Sequence, residues 1–157
     1  MKLLTPNPEN HCFGCGGGNA HGMLLTFELD EVSRRTVGRF RIPAQYQGAK
    51  GILHGGIVAT FLDEAMGKLN HGKGMPAMTA ELRVTYRRPV PVGEEIIVEA
   101  HHQRRDGRNL FHAAEIRNLA GEVLARGEGR FVQIDPERIR KTAAVGKSAE
   151  LIPAETE

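Results

Sequence analysis

Tryptophan is absent, and aromatic residues of every kind make up only 5% of the chain. Proteins that bind single-stranded nucleic acid stack bases on aromatics set among basic residues. The densest basic stretches here, Arg87-Arg88 and Arg104-Arg105 with Arg108, lack that interleaving. An excess of one charge is also missing. The formal charge is +2, so no global field directs the protein to nucleic acid or to a charged membrane. No apolar run approaches the roughly 20 residues that span a bilayer. The N-terminal stretch Met1-Lys2-Leu3-Leu4-Thr5-Pro6 reaches Asn and Glu too early for a secretory signal. Cysteine is limited to Cys12 and Cys15, too few for the disulfide framework of a small secreted domain. The expectation is a cytoplasmic protein with no nucleic-acid or membrane partner.

What is present fits a single globular domain: 157 residues, 40% apolar and 25% charged, enough to bury a sizeable core. Residues 1–22, rich in Gly, Asn and Pro, read as an irregular leader. Met23–Asp30 and Thr36–Ile42 read as strands. From Gly56 to about Asn70 runs the one strong helix, with Ile57, Val58, Phe61, Leu62, Ala65, Met66 and Leu69 covering more than half its girth. A helix so apolar is wrapped by other structure. Only strands follow. Met78, Ala80, Leu82, Val84 and Tyr86 alternate with Thr79, Glu81, Arg83, Thr85 and Arg87 in a period of two. Further strands run over Glu94–Arg104, Asn109–Arg117 and Glu122–Ile134, and Asp106-Gly107 signals a tight hairpin. Residues 135–157 read as a frayed tail or a short surface helix. The fold class is α+β: an antiparallel sheet of about six strands wrapped around one long central helix, with the domain at 23–134.

Chemistry concentrates at the helix start. His54-Gly55-Gly56 precedes the helix, and Asp63 lies seven residues beyond the second glycine on an apolar flank. The first amides of a helix have no partner within it and face the positive end of its dipole, so they can receive a developing oxyanion. Leu62, Met66 and Ala59 around Asp63 should desolvate its carboxylate and raise its pKa, making it a better base near neutrality. The plain alternatives remain open: a surface acid at Asp63, a satisfied loop histidine at His54, and a glycine pair that only eases a tight turn.

Leu53-His54-Gly55-Gly56-Ile57-Val58-Ala59-Thr60-Phe61-Leu62-Asp63 together with Met78 to Gly93, including Tyr86-Arg87-Arg88-Pro89-Val90-Pro91, resembles the hotdog-fold acyl-CoA thioesterases, and within them the phenylacetyl-CoA thioesterase type with its His-Gly-Gly motif. The leader Cys12-Phe13-Gly14-Cys15-Gly16, with Asn19 and Gly22-Met23, is similar to a branch of that superfamily that carries a Cys-Phe-x-Cys-Gly leader followed by Asn and Gly-Leu. The resemblance implies a homodimer or homotetramer with its active site between subunits, cleaving an acyl-CoA to a free acid and coenzyme A with no metal or other cofactor. It implies that Gly55, with Gly56 beside it, polarises the thioester carbonyl and that Asp63 acts as nucleophile or as base for a water. It also implies that Thr79 orients the reacting groups, meeting Asp63 from the partner chain, and that His54 braces the loop or contacts the thioester. The chain departs from some relatives at Gly48, where they carry Asn; Gln47 is adjacent.

Arg87 and Arg88 are candidates for the phosphates of coenzyme A, with Lys73 and Arg104 behind them; a solvated strand end explains each equally well. Cys12 and Cys15, flanked by His11 and His21, offer half of a zinc signature. A structural flap near the acyl pocket is the simpler reading, and no metal is assigned. A non-catalytic acyl-CoA-binding protein, a hotdog hydratase or dehydratase, and a purely structural protein are the rival functions.

Overall fold

A computed structural model describes residues 1–71 and 76–143. Seven strands form one sheet: β1 (Lys2–Leu4), β2 (Phe27–Asp30), β3 (Arg35–Arg41), β4 (Ala77–Tyr86), β5 (Glu95–Asp106), β6 (Asn109–Asn118) and β7 (Val123–Gln133). Their spatial order is β1-β2-β3-β5-β6-β7-β4, and every pair is antiparallel. Helix α1 (Gly55–Gly67) continues as a 3-10 turn to Asn70 and separates β3 from β4 in the chain. A short helix α2 (Pro136–Ala143) follows β7.

α1 presents Val58, Phe61, Leu62, Ala65 and Met66 to the sheet, which answers with Phe27, Ile96, Val98, Leu110, Ile116 and Phe131. β7 carries glycine where the helix crosses it. A Cβ on Gly129 would lie 2.7 Å from the Phe131 ring, and one on Gly127 would press on Leu62 at 3.1 Å. The hidden Thr36 hydroxyl donates to the Ala65 carbonyl at 2.7 Å and pins the helix in place. Burying these apolar faces supplies most of the stability, about 25 cal/mol per Å² of apolar surface removed from water.

The structure corrects three expectations. The seventh strand comes from the leader: Lys2–Leu4 pairs with Phe27–Leu29, so residues 1–22 are not wholly irregular. The strand expected from Met23 begins at Phe27, because Leu24 has φ +53°. The amides on either side of Leu24 are taken by the leader, Met23 donating to the Phe13 carbonyl and Leu25 to that of Gly14. The alternation expected along β4 is broken by a bulge between Thr79 and Glu81. The expected surface helix is present at 136–143; the rest of the tail lies outside the described residues.

Candidate active site

His54 caps α1 with its own ring. Its Nδ1 accepts the Gly56 amide at 2.9 Å, which places the proton of the neutral ring on Nε2. The Gly56 N–H is therefore occupied, contrary to the expectation that it stands free beside Gly55. The Ile57 and Val58 amides both turn to the His54 carbonyl. The Gly55 N–H alone in this first turn donates to nothing among the described residues. Behind it, the Tyr86 hydroxyl donates to the Gly55 carbonyl at 2.7 Å and fixes the plane of the adjoining peptide. Tyr86 belongs to the segment that carries the family resemblance, but nothing in the sequence assigned it this contact with Gly55.

Two turns further along α1, the half-buried Asp63 accepts a hydrogen bond at Oδ1 from the Thr79 hydroxyl at 2.7 Å. Burial pushes the Asp63 carboxyl above its usual range; the Thr79 bond opposes the shift and the neighbouring Glu64 charge adds to it. Asp63 and Thr79 meet within one chain, not across two as expected, because β4 runs alongside the helix. The bulge makes this possible. Thr79 and Tyr86 differ in parity, yet both touch α1, and the extra residue Ala80 shifts the alternation between them.

Eight residues of helix separate Gly55 from Asp63, about 12 Å at 1.5 Å per residue. The free amide and the acid are thus not adjacent within one chain. Gly48 lies against His54: a Cβ there would stand 3.2 Å from the His54 Cα. Gln47 does not reach the site, since its side-chain carbonyl accepts the Gly51 amide at 3.1 Å.

Of the basic candidates, Arg87 and Arg88 follow Tyr86 directly, both exposed, with their amides on the Leu124 carbonyl. Arg88 is paired with Glu122 at 3.1 Å. The Arg104 guanidinium stacks on Phe111 at 3.6 Å. Lys73 lies outside the described residues.

The leader reaches α1 on the flank next to Asp63. Cys12 Sγ donates to Glu64 Oε1 at 3.3 Å, and Lys68 Nζ is 3.7 Å from Glu64 Oε2. Burial pushes the Cys15 thiol up to about 12, with hydrogen bonds to Lys68 opposing and to Glu64 reinforcing. The flanking histidines do not join the thiols: the His11 ring meets the Gly18 carbonyl at 3.0 Å, and His21 is exposed.

Comparison with known proteins agrees with this architecture. Residues 50–125, which hold the His-Gly-Gly turn, α1 and β4, match the model of the Thioesterase superfamily. Mouse acyl-coenzyme A thioesterase THEM4 is 34% identical over 118 residues, 74% of this chain and 51% of that protein. Human acyl-coenzyme A thioesterase 13 is 28% identical over 96 residues, 59% of this chain and 69% of that protein. The chain spans about half the length of the THEM4 relatives it matches. A crystallised thioesterase superfamily protein superposes with a TM-score of 0.72 at 32% identity, covering 78% of this chain and 60% of that one. The sheet wrapped on a central helix and these matches together make the chain a hotdog-fold protein of the thioesterase superfamily.

Proposed function

We propose that this protein is an acyl-CoA thioesterase whose active site is assembled from two copies of the chain. The Gly55 amide of one copy receives the carbonyl oxygen of the thioester. Asp63 of the other copy, oriented by Thr79, attacks that carbonyl or takes a proton from the water that does. The carbonyl–sulfur bond breaks, water supplies the new carbon–oxygen bond, and the products are a free acid and coenzyme A. His54 shapes the amide by capping the helix. Arg87 and Arg88, next to the Tyr86 that holds Gly55, would meet the coenzyme A phosphates, Arg87 being the one without an ion pair among the described residues. The hydrolysis asks for no metal or redox cofactor, and the cytoplasm is its expected compartment.

The observation that carries this reading is the distance along α1. An oxyanion donor and an attacking group must both lie about 3 Å from one carbonyl, and about 12 Å of helix keeps Gly55 from Asp63 in a single chain. A second copy removes the difficulty. The edge strand β4 suits that contact: beyond the bulge Leu82 and Tyr86 are 36% and 55% exposed on one face, Met78 is 50% exposed on the other, and the edge is unpaired among the described residues. The names of the THEM4 and thioesterase 13 relatives support acyl-CoA as the substrate.

Subunit mixing tests the arrangement. Proline is tolerated at the first position of a helix and lacks only the N–H, and His54 already has the ψ of 135° that a following proline prefers. Gly55→Pro therefore deletes the free amide and keeps the turn. Neither Gly55→Pro nor Asp63→Asn should release thiol from an acyl-CoA by itself. Unfolded and refolded together in equal amounts, they should recover about a quarter of the native activity, because half the dimers then hold one intact site of two. No recovery would place both groups in one chain. Failure of the native protein to release thiol from short, long and aromatic acyl-CoAs, while still binding them, would favour the non-catalytic binding protein.

A further inference from the structure

We propose that Cys12, Cys15 and Glu64 form a binding site for a thiophilic divalent cation of the zinc class, which ties the leader to α1. The two thiol sulfurs and a Glu64 carboxylate oxygen all lie within 4.8 Å of one another. Cys15 is buried, Cys12 half-buried, and the Glu64 side chain is 17% exposed. Cys-x-x-Cys is a spacing that zinc sites use, and tetrahedral bond lengths of 2.0–2.3 Å put neighbouring ligand atoms about 3.5–4 Å apart. The donors need only a small contraction to reach that geometry.

The leader is shaped for this contact. The Gly16 amide donates to the Cys12 carbonyl at 2.9 Å and closes a tight turn around both thiols. That turn rests on the helix at Gly14, where a Cβ would meet the Glu64 side chain at 2.5 Å. A third ligand thus comes from α1, which no spacing in the leader could reveal. Charge also balances. Two thiolates and a carboxylate exceed a divalent cation by one negative charge, and the Lys68 ammonium, 3.7 Å from Glu64 Oε2, supplies the missing positive one. Lysine donates and does not ligate while protonated, so it serves as an outer partner that orients the carboxylate. A disulfide would satisfy the cysteines but leave Glu64, drawn into the cluster, without the Cys12 donor. On loading, the two thiol protons pass to solvent, both sulfurs bind as thiolates, no electron moves, and water takes the fourth position. The bound cation would hold the leader on the turn of α1 that carries Asp63, whatever reaction Asp63 serves.

Cobalt(II) is the probe. The 157-residue chain, reduced and stripped with chelator, should take up one equivalent and develop a thiolate-to-cobalt charge-transfer absorption that zinc then abolishes. Cys12→Ser should remove most of that absorption. Glu64→Gln should weaken binding by at least about tenfold, the loss that even an outer-shell partner brings. Cys12 is part-exposed, so its serine variant should keep the metal-free circular dichroism spectrum; Cys15→Ser provides a second thiol deletion. Absence of the charge-transfer band at stoichiometric cobalt, or an undiminished band in both Cys12→Ser and Glu64→Gln, would overturn the site.

Discussion

Asp63 is held in a state that stability alone would not select. Burial raises its carboxyl above the ordinary 3.8, so the folded chain holds this proton more tightly than the unfolded chain does. The stabilisation from that proton is complete below about pH 3.8 and is lost as pH rises through the raised folded value. At neutral pH the charged group is a burden on the fold. Asp63→Asn should therefore raise the Tm at pH 7 by up to about 3 °C, reduced by solvent screening of a half-buried group. Thermal scans of both proteins near pH 3 should show the difference closing. Thr79 acts in the opposite sense, since its donated hydrogen bond favours the carboxylate. Thr79→Val keeps the shape and removes the bond. The acid limb of the pH–rate profile should then move to higher pH, with turnover down roughly tenfold from the lost orientation; a profile unmoved on the pH axis would mean that Asp63 does not set that limb.

At the scale of elements, the bulge in β4 decides which side chains the helix meets. With Ala80 inserted, Thr79 faces Asp63 and Tyr86 still reaches Gly55. Deleting Ala80 would restore strict alternation, so one of the two contacts must turn to the other face. The deletion variant should retain its helix and sheet signals in circular dichroism but lose thiol release by about 10² or more, the scale of misplaced catalytic groups. Strands β5 and β6 and the helix were legible because their buried apolar residues repeat with a single period within one chain. The bulge was not, because an inserted alanine leaves the local composition of a strand unchanged. The His54 cap was hidden for a related reason. A histidine before two glycines looks the same in sequence whether its ring takes up an amide or leaves it free.

For the molecule as a whole, the open edge is the informative feature. Among the described residues β4 pairs only with β7, and its Met78, Leu82 and Tyr86 are exposed while Ala77 and Val84 pack toward the core. The Met78→Lys, Leu82→Lys double variant places two charges where the proposed partner would pack. Light scattering should find it monomeric, with the fold retained and acyl-CoA hydrolysis lost together with the dimer; an active monomer would contradict the shared site. The leader is part of the same whole. Its first residues extend the sheet through β1, and its cysteine turn rests on α1, so it is built into the domain at both ends.

The residue pattern by itself determined that one long helix lies in an antiparallel sheet, that His54-Gly55-Gly56 opens that helix, and that Asp63 and Thr79 belong together. Each follows from local periodicity, from the conformational needs of glycine or from family resemblance, all of which a linear chain carries. Tertiary structure alone decided which amide is free, that Thr79 meets Asp63 in its own chain, and that Glu64 joins the two cysteines. Those outcomes depend on where separate segments come to rest against one another, and the helix rise of 1.5 Å per residue keeps Gly55 and Asp63 about 12 Å apart within one chain.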